Sequence, residues 1–143
     1  MRRVPVVLLV CLVACVGPAR TFGVYESRAS NSVEGALSAV DTTRLAIRDA
    51  LAGDAQAAFV SITIQDAEET ASTAEGHFAS IQPPDERSDR LRRLVGDLLS
   101  RSDDLIARAR IAARRQDTTT MSNLVGPLRR LSDRLDGFLG AHG

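Results

Sequence analysis

The chain contains no lysine, no tryptophan and only one tyrosine, and both of its cysteines, Cys11 and Cys15, fall within the first fifteen residues. Each absence closes off a class of chemistry. Without a thiol beyond residue 15, the remainder can form neither a disulfide nor a zinc knuckle, and it lacks a cysteine nucleophile and the Cys-x-x-Cys-His run of a c-type haem. Two histidines, His77 and His142, both near the ends of predicted helices, give no basis for a Ser-His-acid arrangement. Glu34, Glu68, Glu69, Glu75 and Glu86 are each followed three residues later by something other than histidine, so the Glu-x-x-His pairs of di-iron bundles are missing. Long apolar runs are also scarce: beyond the N-terminal segment none approaches the roughly 20 residues that a membrane-spanning helix needs.

The N-terminal segment is the most specific feature present. Arg2 and Arg3 precede an apolar run from Val4 to Val16, which Gly17 and Pro18 close. The arginines hold the N-terminus on the positive-inside face while the run partitions into the bilayer, yet the run is too short to stay there. Leu12, Val13, Ala14 and Cys15 are similar to the lipobox of bacterial lipoproteins. The resemblance implies that residues 1–14 are a cleaved signal peptide and that Cys15 becomes a lipidated N-terminus. Two or three acyl chains would then hold the protein far better than one. Ordinary secretion with cleavage after Ala19 and an uncleaved signal anchor remain open alternatives.

Residues 15–23 are expected to form a tether, followed by four amphipathic helices over about 24–52, 54–82, 85–115 and 117–140. The first starts near Val24 or at Asn31, which has capping-box spacing with Glu34. Its stripe is Val33, Leu37, Val40, Ile47 and Leu51; Gly53 ends it and Asp54 is placed to cap the next. The second carries Val60, Ile64, Ala67, Ala71, Ala74, Phe78 and Ile81 and stops at Pro83 and Pro84. The third shows Leu91, Val95, Leu98, Leu105, Ala109 and Ala112, interrupted by Ser102. In the fourth, capped by Asp117, Met121, Leu124, Leu128, Leu131, Leu135 and Phe138 fill alternating a and d positions, with a kink or break expected at Gly126 and Pro127. Short links favour antiparallel neighbours, so the expected fold is all-α, an up-down-up-down antiparallel four-helix bundle.

Charge divides the chain unevenly. Val24 to Gln82 holds three arginines against nine acids, a balance of −6, whereas Pro83 to Gly143 holds twelve arginines against nine acids, a balance of +3. The cluster Arg108, Arg110, Arg114 and Arg115 is a candidate contact for an anionic partner, and Arg87 and Arg90, at the end facing the anchor, are candidates for anionic headgroups. Docking of the basic hairpin on the acidic one explains the same asymmetry more simply. His77 and His142, with Glu75 and Asp136 nearby, are the one candidate divalent-metal pair. Asp41 and Arg44 on the first helix and Asp66 and Glu69 on the second flank the facing stripes and could form a buried ion-pair network or a polar ligand site, with a solvated or partly buried salt bridge as the default expectation.

Together these features predict a non-enzymatic helical module without a cofactor. It is expected at the outer face of a bacterial cytoplasmic membrane, acting through envelope protein contacts rather than nucleic acid. The alternative is an exported bundle that holds a small ligand or metal between its helices.

Overall fold

Local chemistry sets most of the helix boundaries. The computed structural model describes residues 20–142, which form α1 (Phe22–Ala52), α2 (Ala57–Ala79), α3 (Glu86–Arg114) and α4 (Thr118–His142). Thr21 caps α1 by accepting the Val24 amide on its hydroxyl. The helix therefore starts before both Val24 and Asn31, and Phe22 and Gly23 are helical rather than tether. Gly53 ends α1 in the left-handed conformation at φ 79°, where a side chain is disfavoured, and the amides of Gly53 and Asp54 bond back to Ala50 and Asp49. Asp54 does not cap α2; Gln56 takes that position and makes no side-chain cap bond.

α2 ends at Ala79, four residues before the prolines, in a turn where the Ser80 hydroxyl donates to the His77 carbonyl at 2.7 Å. Asp85 caps α3 through the Ser88 amide at 2.7 Å and the Ser88 hydroxyl at 2.8 Å. Asp117 does the same for α4 through the Thr120 amide and hydroxyl. These bonds hold both carboxyls below the ordinary aspartate range. α4 runs unbroken through Pro127 to His142, so of the expected kink or break there is no break. Proline has no N–H to offer the preceding turn, but the leucine seam on either side holds the helix together.

The four helices form the expected all-α bundle. Each packs on its neighbour in sequence, α4 closes on α1, and α1 also meets α3 across the centre, whereas α2 and α4 lie diagonally with no Cα atoms within 8 Å of each other. Pairs such as Tyr25 with Phe78, Arg44 with Ser132 and Glu68 with Arg110 show that neighbours run antiparallel. The start of α1, the α2–α3 turn and the end of α4 therefore share one pole. The α1–α2 and α3–α4 turns share the other.

The seams differ in side-chain size. α1 contributes Ala29, Ala36, Ala39 and Ala46 to the core, and α2 contributes Ala67 and Ala71. A Cβ built on Gly35 would lie 3.7 Å from the Ala74 Cβ, so the two helices approach to ordinary contact with almost no side chain between them. α4 buries Met121, Leu124, Leu128, Leu131, Leu135 and Phe138, every a and d position of its stripe. Each fully buried leucine contributes about 1.5–3 kcal/mol. Leu51, expected in the α1 stripe, is instead 40% exposed beside the Gly53 turn.

Buried hydroxyls are answered locally. Thr43 donates to the Ala39 carbonyl and Ser102 to the Leu98 carbonyl, both at 2.9 Å, so Ser102 sits in the core without a polar cost. Tyr25 is an exception: it is fully buried, its ring 5.5 Å from Phe78, and its hydroxyl has no partner among the described residues. Burial raises its pKa, opposed by the charge of Arg92.

Candidate functional site: an arginine-lined groove between α3 and α4

The α3–α4 seam is built from large residues and does not close at its outer edge. Leu105 and Pro127, half-buried, and Leu131, buried, form an apolar floor, while exposed Arg101, Arg130, Arg134 and Asp104 form the rim. The groove has a volume of about 580 Å³. α3 supplies one wall because Arg101, Asp104 and Leu105 follow each other at helical spacing. α4 supplies the other through Pro127, Arg130, Leu131 and Arg134.

Among the described residues, Arg101, Arg130 and Arg134 make no hydrogen bond or ion pair. Three unpaired guanidiniums around an apolar floor present a fixed fork geometry that suits carboxylate or phosphate groups. Such a surface can bind an anionic, partly apolar partner.

The residues singled out from sequence are distributed differently. Of the cluster Arg108, Arg110, Arg114 and Arg115, Arg110 turns away from solvent and pairs with Glu68 on α2, while the other three are exposed. This pair is where the basic hairpin docks on the acidic one. Arg92 adds a second tie, donating to the Ala79 and Ile81 carbonyls at the end of α2. Arg87 lies 3.6 Å from the centre of the Phe22 ring, a cation–π contact that pins the start of α1, and Arg90 is exposed on the same turn of α3.

Of the four charged residues Asp41, Arg44, Asp66 and Glu69 on α1 and α2, only the default salt bridge forms, and no quartet. Asp41 and Arg44 pair at 2.7 Å, and both bond to Ser132 of α4 rather than to α2. Asp66 and Glu69 are exposed on the outer face of α2. Asp103, between the α3 groove wall and α2, has a buried carboxyl oxygen without a partner. Burial, and then the charges of Glu68 and Asp104, raise its pKa.

The two histidines are not brought together as a metal pair. His142 stacks on Phe138 with ring centres 4.4 Å apart and its Nδ1 lies 2.9 Å from Glu26, while its carbonyl accepts the Ser30 hydroxyl. His77 is exposed on α2, which has no Cα atom within 8 Å of α4. Among the described residues no group of three or more His, Asp or Glu side chains is placed to hold a metal. Cys15, residues 1–14 and the first part of the tether lie outside the described residues. No described helix is long and apolar enough to cross a membrane.

The groove arginines were missed in the sequence because they are scattered over α3 and α4, whereas residues 108–115 draw attention as a run. Comparison with protein-family models, curated proteins and solved structures gives no match to this chain.

Proposed function

We propose that this chain is an interaction module, tethered through Cys15 to the outer face of a bacterial cytoplasmic membrane, whose working surface is the α3–α4 groove. The observation that carries the reading is the set of three unpaired arginines over an apolar floor. It is supported by the +3 balance of the second hairpin, of whose twelve arginines Arg110 alone forms a side-chain ion pair with the first hairpin within the described residues. The groove accordingly takes an acidic amphipathic segment of a protein partner, apolar side chains on Leu105 and Pro127 and carboxylates on the arginines.

Two measurements test the reading. A fluorescent Glu/Leu amphipathic helical peptide is titrated into the full chain in non-ionic detergent. Binding that weakens about 10-fold or more between 0.05 and 0.5 M salt, and is lost in Arg101→Glu/Arg130→Glu, is the expected result. Binding indifferent to both changes overturns the groove. For the tether, the denatured intact mass of protein extracted from host membranes is expected to begin at Cys15 with two or three acyl chains. A lipid-free mass beginning at Met1 or near Arg20 overturns it.

A further inference from the structure

We propose that the occupant of the α3–α4 groove is the outer face of α2 from a second copy of this chain, so that copies associate side by side in open rows. The proposal rests on the groove being a site for an acidic, partly apolar segment and names that segment. The first observation is an exposed stripe on α2. Phe59 and Ile62 are 65% and 61% exposed, the most open large apolar side chains described, and Asp66 and Glu69 continue their line toward the other pole. The spacing of three, four and three residues places all four on one helix face. Asp66 and Glu69 enter no side-chain ion pair or hydrogen bond among the described residues. Leu45, 48% exposed on the neighbouring face of α1, widens the apolar part.

The second observation is a match of height. α3 carries Arg101, Asp104, Arg108 and Ile111 at the same three, four, three spacing, and Ile111 is 43% exposed. At 1.5 Å per residue, Glu69 stands about 18 Å from the first residue of α2, Arg130 about 18 Å from the first residue of α4, and Arg101 about 20 Å from the last residue of α3. These reference ends all lie at the pole of the α1–α2 and α3–α4 turns. Phe59 and Ile111 both fall within about 5 Å of it by the same count. Two copies standing in parallel at equal height thus set Phe59 and Ile62 against Ile111 and the stem of Arg108, and Glu69 against Arg101 and Arg130. Asp66 arrives at the level of Asp104, flanked by Arg108 and Arg130.

The third observation is topology. The α1–α2 pair and the α3–α4 groove occupy opposite sides of the bundle, since α2 and α4 lie diagonally. A contact between unlike faces is heterologous and leaves one free copy of each face at the ends, so it propagates instead of closing as a dimer. The hairpin balances of −6 and +3 supply the complementarity between the two faces.

The test is sedimentation velocity of the full chain in non-ionic detergent at less than one copy per micelle. The parent is expected to show a weight-average sedimentation coefficient that rises with concentration at 0.05 M salt and stays flat at 0.5 M. Asp66→Arg/Glu69→Arg and Arg101→Glu/Arg130→Glu, all at exposed positions, are each expected to abolish the rise while keeping the parent's helicity and melting. An equimolar mixture of the two variants restores it, because each then offers a face that complements the other. A parent that stays monomeric at every concentration and salt, or a mixture that does not associate, overturns the proposal. If the acidic peptide still binds the groove in that case, the groove reading survives and the occupant is another protein; if it does not, both fall.

Discussion

The two hairpins use the same up-and-down helix pair and reach opposite results at their seams. Between α1 and α2, alanines and Gly35 let the backbones come close enough that the Gly35 position and Ala74 would touch with one methyl group between them. Between α3 and α4, leucines and Pro127 hold the helices apart, and the gap at their outer edge is lined by arginine. Small side chains bring the backbones close together, and large ones make a filled interior with an open rim. In this bundle the open rim also carries three unpaired arginines, so an apolar floor and positive charge meet on one surface.

The strongest way to break that contrast is to attack what both hairpins share. Leu135→Asp puts an unpaired carboxylate at a fully buried position of α4 and is expected to cost more than about 4 kcal/mol, abolishing cooperative melting by circular dichroism. Retained cooperativity would show that the leucine seam is not the core of the fold. The next effect separates the seams directly. Ala71→Leu, at a buried position of the alanine-rich seam, is expected to cost about 1–3 kcal/mol by overpacking, whereas Arg134→Ala on the open rim changes stability by less than about 0.5 kcal/mol in denaturant melts. Equal costs would dissolve the distinction.

Three smaller predictions sharpen it. Tyr25→Phe removes a buried hydroxyl that has no partner among the described residues and is expected to stabilise the protein by about 1 kcal/mol in the same melts. Gln116 holds φ 54° at the turn between α3 and α4, a left-handed conformation that costs a residue with a Cβ. Gln116→Gly is therefore expected to gain about 0.5–1 kcal/mol.

Asp103 gives a pH signature. Its pKa is raised in the folded protein, so at neutral pH folding carries the cost of a partly buried charge, and that cost disappears as pH falls through the raised pKa. Asp103→Asn is expected to melt slightly higher than the parent at pH 7, by less than about 1 kcal/mol, with the advantage shrinking toward acid. The caps Asp85 and Asp117 act in the opposite sense. Their pKa values are lowered, so their stabilisation is full at neutral pH and is lost as pH falls through those lowered values. An advantage for Asp103→Asn that grows on acidification would contradict the assignment.

The fold was largely legible in the sequence and the site was not. The heptad from Met121 to Phe138, the cap at Asp117 and the stop at Gly53 are local signals, and the structure keeps all three. Asn31 failed as a start because a capping box is only as good as the break before it, and nothing between Thr21 and Asn31 interrupts the helix. Pro127 failed as a break because tertiary packing on both sides outweighs one missing hydrogen bond. Arg101, Arg130 and Arg134 share a rim only once α3 and α4 lie antiparallel, and no run or spacing marks them beforehand. The same holds for Glu68 and Arg110, whose pairing depends on which face α3 turns to α2.

His142 is tied to the opening turns of α1 by Glu26 and Ser30. The helices accordingly make a closed circuit in which the gap between the last and the first is held much as tightly as the turns are. A permuted order that joins His142 to the start of α1 and opens at the Gly53 turn is therefore expected to keep the same helix contacts, and the groove with them.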